Sequence, residues 1–345
     1  MGFSFFPFNR VDEFKLSRLH KSSYFHVYHQ YANNHVEQLH NNKLTKFQRK
    51  FEFRFLNSDK IDAFVDIRNK KIDCVYITYG FVVRLHDLFY KLFCNASVFP
   101  AYGSAVGFPS EAHLAFKPYI QNKTVFYLAP TDETRKQLAQ FCSSISMQFA
   151  ILHEIGHHMN GHELYRIHKT GPITKLERQV LEMDADAFAV TNSIQAAFLT
   201  EEHRQMAFPD LQLSNIEYIR LWIYLVHIFF LFMSREHDFI YKERMELKYL
   251  PRRIRSLLAA QISFELFDKF YPQEPHDFQS LFVDTFHQAE RDYNSTFHQA
   301  SSAAELESCF SDDMLSHLDE INQYWRHTMV HRLAPYARVP LFQQN

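Results

Sequence analysis

At 345 residues and 46% hydrophobic content, the chain is long and apolar enough to bury a full-sized core, which excludes a disordered protein. Its 37 basic and 39 acidic side chains leave a formal net charge of -2, so the chain as a whole carries no electrostatic footprint for nucleic acid or anionic lipid. Seven glycines against 36 phenylalanines and 18 tyrosines disfavour phosphate-binding loops and turn-rich all-β folds, and point to helices packed through aromatic side chains.

The opening MGFSFFPFNRVDEF lacks a basic stretch followed by a clean apolar run, and Phe6 stands where a myristoylation pattern needs Ser or Thr, so no export or lipid signal is expected. Residues 11–50, charged and rich in His at helical spacing, predict one or two helices. The period then changes to two. Phe51, Phe53 and Phe55 alternate with Glu52, Arg54 and Leu56, and residues 61–67 and 72–78 are rich in β-branched and aromatic types, so three strands are expected. Residues 81–93 predict an amphipathic helix. Residues 95–110, with two glycines and two prolines, predict a loop near the sheet edge, of the kind that often lines sites. Residues 124–129, closed by Pro130, are a fourth candidate strand.

No proline occurs between Asp132 and Pro172, so a single helix is expected over 134–159, ended by Asn160 and Gly161. Thr174 with Glu177, and Ser214 with Glu217, have capping-box spacing and predict helices beginning near 175 and 215. Residues 221–233 (LWIYLVHIFFLFM) are apolar except for His227. Such a run is shorter than the roughly 20 residues of a membrane span, so a buried helix is expected, with membrane association as the alternative, and His227 reads as a core histidine with satisfied hydrogen bonds. Pro251 suits the first turn of a further helix, and residues 277–325 are helical by composition. Cys74, Cys94, Cys142 and Cys309 form no CxxC pair, which fits a reducing cytoplasm and excludes a thiolate metal site. The expected architecture is α+β and predominantly helical. Residues 1–130 give N-terminal helices and a small sheet packed on the 134–159 helix, 131–265 a helical core, and 266–345 a C-terminal helical region.

The chemistry sits on the last turns of that helix, where His153, Glu154, Ile155, Gly156 and His157 spell HExxH. Residues four apart lie about 40° apart around a helix, so both imidazoles point to one side and can share one ion. Glu154 is offset by about 100°, which keeps it out of the ligand pair but near a water on the open side of the ion. In a chain with 21 histidines the pentapeptide alone identifies nothing. A catalytic zinc needs a third protein ligand and one open position. Glu182, on the next predicted helix, is placed to supply it, with Asp186 four residues on to accept a hydrogen bond from a ligand histidine. Ala185, Ala187 and Ala189 allow the two helices to pack closely. Glu177 and Asp184 are competing carboxylates, and Glu163 is a fallback ligand if the helix ends early.

HEIGHHMNGH followed by EMDADAFA resembles the gluzincin zinc metallopeptidases, whose third ligand is the Glu of an ExxxD or ExxAD motif on a following helix. Locally the strings are most similar to the CAAX-prenyl and HtpX-like peptidases, with HExGHxxxGH and ExxADxFA. The likeness covers about fifty residues; the spacing to the third ligand is shorter than in those membrane peptidases and their several long spans are missing. The ImmA-like and thermolysin-like branches share the short spacing and soluble character, and a Lit-like phage-exclusion peptidase also fits. The resemblance implies a zincin-like core, one zinc per chain held by His153, His157 and Glu182, and Asp186 as the orienting acid. It further implies that an Arg after a Pro-containing turn stabilises the oxyanion. Arg255, with Tyr249 as neighbour, fits that form best, against a competing reading as an exposed helix residue.

The metzincin pattern is excluded, because it needs Gly at 160 and His at 163 where this chain has Asn160 and Glu163. His162 is rotated some 140° from His157 on an ideal helix and makes a poor fourth ligand. With His158 and His168 it is expected to face solvent or cap the helix end. The expected activity is hydrolysis of a peptide or protein by zinc-activated water with Glu154 as general base. The alternative is a non-catalytic, zinc-containing regulatory or toxin-like interaction protein.

Overall fold

A computed structural model describes residues 13–16, 24–42, 49–69, 71–104, 110–113, 126–198, 213–234, 250–270, 272, 277–298, 307, 309 and 311–341. The fold is α+β and predominantly helical. Strand β1 (Lys50–Leu56) pairs in parallel with β3 (Ile72–Thr78), and β2 (Ala63–Asp66) joins the other side of β3 antiparallel, giving the order β1-β3-β2. The alternation in β1 buries Phe51, Phe53 and Phe55, while Glu52 and Arg54 pair at 2.6 Å. Helix α1 (Tyr24–Asn41) covers that aromatic row, with Phe25 edge-on to Phe55 at 5.2 Å. Helix α2 (Tyr79–Cys94) follows β3 directly.

A second, two-stranded antiparallel ladder joins β4 (Ser110–His113) to β5 (Phe126–Ala129). The stretch expected as a loop over 95–110 therefore ends in a strand. Its sequence SEAH has no β-branched or aromatic residue, so pairing and not propensity decides it. The stretch is also placed differently from expectation. Buried Arg135 donates to the backbone carbonyls of Phe93, Asn95, Val98 and Tyr102, and Asp132 accepts from the Ser104 N–H. Both side chains lie at the start of helix α3 (Glu133–Met159), about 27 Å of helix from His153, so residues 95–104 do not line the HExxH turns.

Helix α3 is the hub. It packs against α1, α2, β2, β3, α5 (Lys175–Phe198) and α6 (Asn215–Ser234), which puts the small sheet on the HExxH helix as expected. Asp132 caps its start by accepting from the Arg135 N–H at 3.0 Å. Both capping boxes form: the Thr174 N–H donates to Glu177 at 2.8 Å and the Glu177 N–H returns to the Thr174 hydroxyl at 3.2 Å, and Ser214 and Glu217 repeat the exchange.

Helix α6 contains the 221–233 run but is 20 residues long, which makes it long and apolar enough to cross a membrane by length and composition. In the fold, 78% of its most apolar window is buried. Helices α7 (Arg252–Phe270) and α8 (Phe278–Phe297) pack on it and match its polar atoms. The Tyr224 hydroxyl donates to Asp292 at 3.0 Å; His227 Nδ1 lies 2.8 Å from the Ser256 hydroxyl and Nε2 lies 3.2 Å from Glu290, which also accepts from Arg253 at 2.6 Å. His227 is thus a satisfied core histidine. Helix α9 (Asp312–Tyr324), a π-helical turn over Trp325–Met329 and the short α10 (Val330–Leu333) pack against α5 and against α4 (His162–His168).

The Glu290 cluster makes stability depend on pH. Burial raises the carboxyl, but the hydrogen bonds from His227 and Arg253 outweigh it and set it at about 2. A carboxyl held below its unfolded value of about 4.3 contributes stability above that pH and loses it as pH falls towards 2. Burial likewise lowers the His227 pKa, so protons binding the unfolded chain below about 6.5 act in the same direction. Between pH 6 and pH 3 the wild type should lose about 1–2 kcal/mol more than Glu290→Gln in urea unfolding, the His227 contribution being common to both. Equal losses would show that the cluster does not carry this linkage.

Candidate metal centre

The HExxH turns meet helix α5 at close range because Gly156 faces Phe188. A Cβ at Gly156 would stand 3.0 Å from Phe188 Cβ, a contact so tight that the neighbour would have to yield by a few tenths of an ångström. Ala185 and Ala189 are fully buried in the same seam, while Ala187 is only partly so. The approach brings α5 carboxylates to α3 imidazoles. Nε2 of His153 and Nε2 of His157 lie 3.1 Å apart, and the two Glu182 carboxylate oxygens lie 3.7 Å from one and the other. All three side chains are at most 3% exposed. Among the described residues, His153, His157 and Glu182 are the one group of three or more able to hold a metal ion.

Tetrahedral zinc with bonds of about 2.0–2.1 Å sets neighbouring ligand atoms about 3.3–3.4 Å apart, and the 3.1 Å between the imidazole nitrogens with 3.7 Å from each to its nearer Glu182 oxygen brings the three groups within reach of one small ion. The competing carboxylates are committed elsewhere. Glu177 takes hydrogen bonds from Tyr165 and Arg332 and pairs with Lys169; burial opposes these bonds, yet they hold its carboxyl at about 2. Glu163 pairs with Arg166 at 2.6 Å. Asp184 accepts from Asn160 at 2.6 Å.

Asp186 Oδ1 lies 2.9 Å from His153 Nδ1, close enough for an electrostatic contact though off the line of a straight N–H···O bond. Arg255 approaches from α7. It is 3% exposed, which corrects its reading as an exposed helix residue; its Nε and one Nη donate to the two Asp186 oxygens at 2.6 and 2.7 Å, and the other Nη lies 3.4 Å from Glu182. Tyr249, its expected neighbour, lies outside the described residues. Burial raises the Asp186 and Glu182 carboxyls, but Arg255 and His153 outweigh it, and both end below the usual carboxylate range. Burial lowers the pKa of His153 and lowers that of His157 further.

Glu154 is the exception in this charge-matched set. It is 1% exposed, its Oε1 has no hydrogen-bond partner, and burial together with the neighbouring Glu182 pushes its carboxyl well above the usual range.

Two histidines expected at the surface are buried. Helix α3 stops at Asn160, Gly161 adopts φ +78°, and α4 starts afresh at His162, so the 140° offset of a continuous helix does not apply. The break turns His162 back until its Nδ1 lies 2.7 Å from Nδ1 of His157, at 0% exposure. His158 is stacked on Phe51 with ring centroids 4.1 Å apart and accepts from Arg338 Nε at 2.9 Å. Arg338 also donates to Asp73 at 2.7 Å, and its backbone N–H reaches the Met159 carbonyl at the same distance. The segment around Tyr336 and Arg338 thus covers the end of α3 that solvent was expected to cover. His168 does remain exposed, stacked against Tyr336. The glycine at 161 was the available signal for the break; for Arg338 no local signal exists.

No family model, curated protein or solved structure matches the chain. The resemblance to gluzincins therefore rests on the two quoted strings alone.

Proposed function

We propose that the protein is a zinc-dependent peptidase acting on a peptide or protein substrate. The observation that supports this most is the convergence of His153 Nε2, His157 Nε2 and the Glu182 carboxylate to within reach of one small ion, beside a buried carboxyl with an unpaired oxygen. Three ligands leave a fourth position open, the mark of a catalytic and not a structural site. Zinc in such a site supplies Lewis acidity towards a water and towards the scissile carbonyl.

In this reading the chain's own groups divide the work. His153, His157 and Glu182 hold the ion. Glu154, buried beside the three ligands with an Oε1 that has no partner, takes as carboxylate the proton of the attacking water and returns it to the leaving amine. Asp186 orients His153. Arg255 balances the charge of Asp186 and Glu182, and its Nη 3.4 Å from Glu182 is a donor near the ligands for a developing oxyanion.

The test is metal analysis of the purified protein together with a proteome-wide cleavage screen. About one zinc per chain is expected, with metal lost from His153→Ala, His157→Ala and Glu182→Ala. Full zinc content in the Glu182 variant would remove it as third ligand, and a zinc-loaded wild type that cleaves nothing would favour the non-catalytic alternative.

A further inference from the structure

An imidazole that binds a metal through Nε2 must keep its proton on Nδ1, and some group has to accept that proton's hydrogen bond. Asp186 stands at that position for His153. For His157 the contact is another imidazole: Nδ1 of His162 lies 2.7 Å away, and Nε2 of His162 lies 2.8 Å from Asp184 Oδ2. His157, His162 and Asp184 are 3%, 0% and 8% exposed, so bulk water does not replace these partners.

The direction of every bond in this chain follows from its far end. A carboxylate accepts and does not donate, and Asp184 Oδ2 already accepts from Asn160 Nδ2 at 2.6 Å. His162 therefore carries a proton on Nε2, and in the neutral ring its Nδ1 is left as an acceptor. The proton between the two Nδ1 atoms then belongs to His157, whose Nε2 lone pair is left to face His153 and Glu182.

We propose that His162 and Asp184 form a relay that fixes His157 as an Nε2 metal donor, with His162 a positioning residue that passes the polarity of a carboxylate across one imidazole. The relay rests on the reading of His157 as a metal ligand. It gives Asp184 the part for His157 that Asp186 has for His153, and it explains why α3 breaks at Asn160 and Gly161: a continuous helix would carry His162 away from His157.

Two measurements on the full chain test it. Long-range ¹H–¹⁵N spectra of the zinc-free protein, with His157 signals identified by their loss in His157→Gln, should show the wild-type ring protonated on Nδ1. His162→Gln keeps an acceptor oxygen and should keep that tautomer, whereas His162→Leu should shift it to Nε2–H. Zinc affinity, read by competition with a chromophoric chelator, should fall about 10–100-fold in His162→Leu and by no more than a few fold in His162→Gln. Wild-type affinity in His162→Leu, or an Nε2–H tautomer in the wild type, overturns the relay. If His162→Leu does not fold, the wild-type tautomer alone decides. A wild type that binds no zinc but holds the Nδ1–H form would overturn the relay's part in metal binding together with the proposed activity, and leave only the hydrogen-bonded chain from His157 to Asp184.

Discussion

Glu154→Gln is expected to keep its zinc and its fold while losing peptide hydrolysis by a factor of about 10² to 10⁴, the usual cost of removing a general base. Glutamine preserves the size of the side chain and most of its hydrogen bonding, but it does not accept a proton from water. A second readout comes from stability. The buried Glu154 carboxyl titrates well above its unfolded value, so it costs the folded state stability as pH rises past about 4.3. A neutral amide carries no such cost, and zinc-free Glu154→Gln should be at least as stable as the wild type at pH 7. A variant that still cleaves at the wild-type rate would take Glu154 out of the reaction. One that reproduces the protein's full cellular effect with zinc bound and no cleavage product would establish the interaction-protein alternative.

Arg255→Met is expected to destabilise the protein by about 3–5 kcal/mol, because it strands two buried carboxylates, Asp186 and Glu182, without their cation. Methionine fills much of the volume and keeps contact with Phe230, over whose ring the guanidinium now lies at 5.1 Å, so the loss reports charge more than packing. Zinc compensates Glu182 but leaves Asp186 with the His153 ring beside it and no full cation, so metal should recover only part of the loss. Removing the partner as well, in Arg255→Met with Asp186→Leu, should be less harmful than the sum of the two single changes. Urea unfolding with and without zinc measures all of this. A cost below about 1 kcal/mol in the zinc-free single variant would show that Arg255 does not hold the site together.

The parts of the site that were legible in the sequence are those fixed by local periodicity. The i, i+4 spacing of His153 and His157, the same spacing of Glu182 and Asp186, the long proline-free run of α3 and the two capping boxes are all properties of single helices, and each forms where expected. His162 and His158 were misplaced for two different physical reasons. His162 depends on a helix break at Gly161, which marks the restart of a second helix as well as the end of the first. His158 depended on Arg338, 180 residues away, and no local pattern encodes such a pairing. The burial of Arg255 belongs to the same class, since an arginine on a helix looks exposed until the carboxylates of another helix are placed against it. The length of α6 beyond its apolar run was set by the Ser214–Glu217 cap, a signal that was available and was not combined with the run.

The contact of Arg338 with the end of α3 also orders events during biosynthesis. Its backbone N–H serves the Met159 carbonyl, and its side chain joins His158 on the HExxH helix to Asp73 on β3. Gly161 is packed so tightly under Tyr336 that a Cβ there would stand 2.5 Å from the Tyr336 carbonyl carbon. On a translating ribosome, then, the HExxH helix emerges early, but Asp73 and the Met159 carbonyl lack their Arg338 donors until residues 336–338 have emerged. Closing a loop of that length is entropically slow, so the HExxH turns emerge well before the segment that covers them.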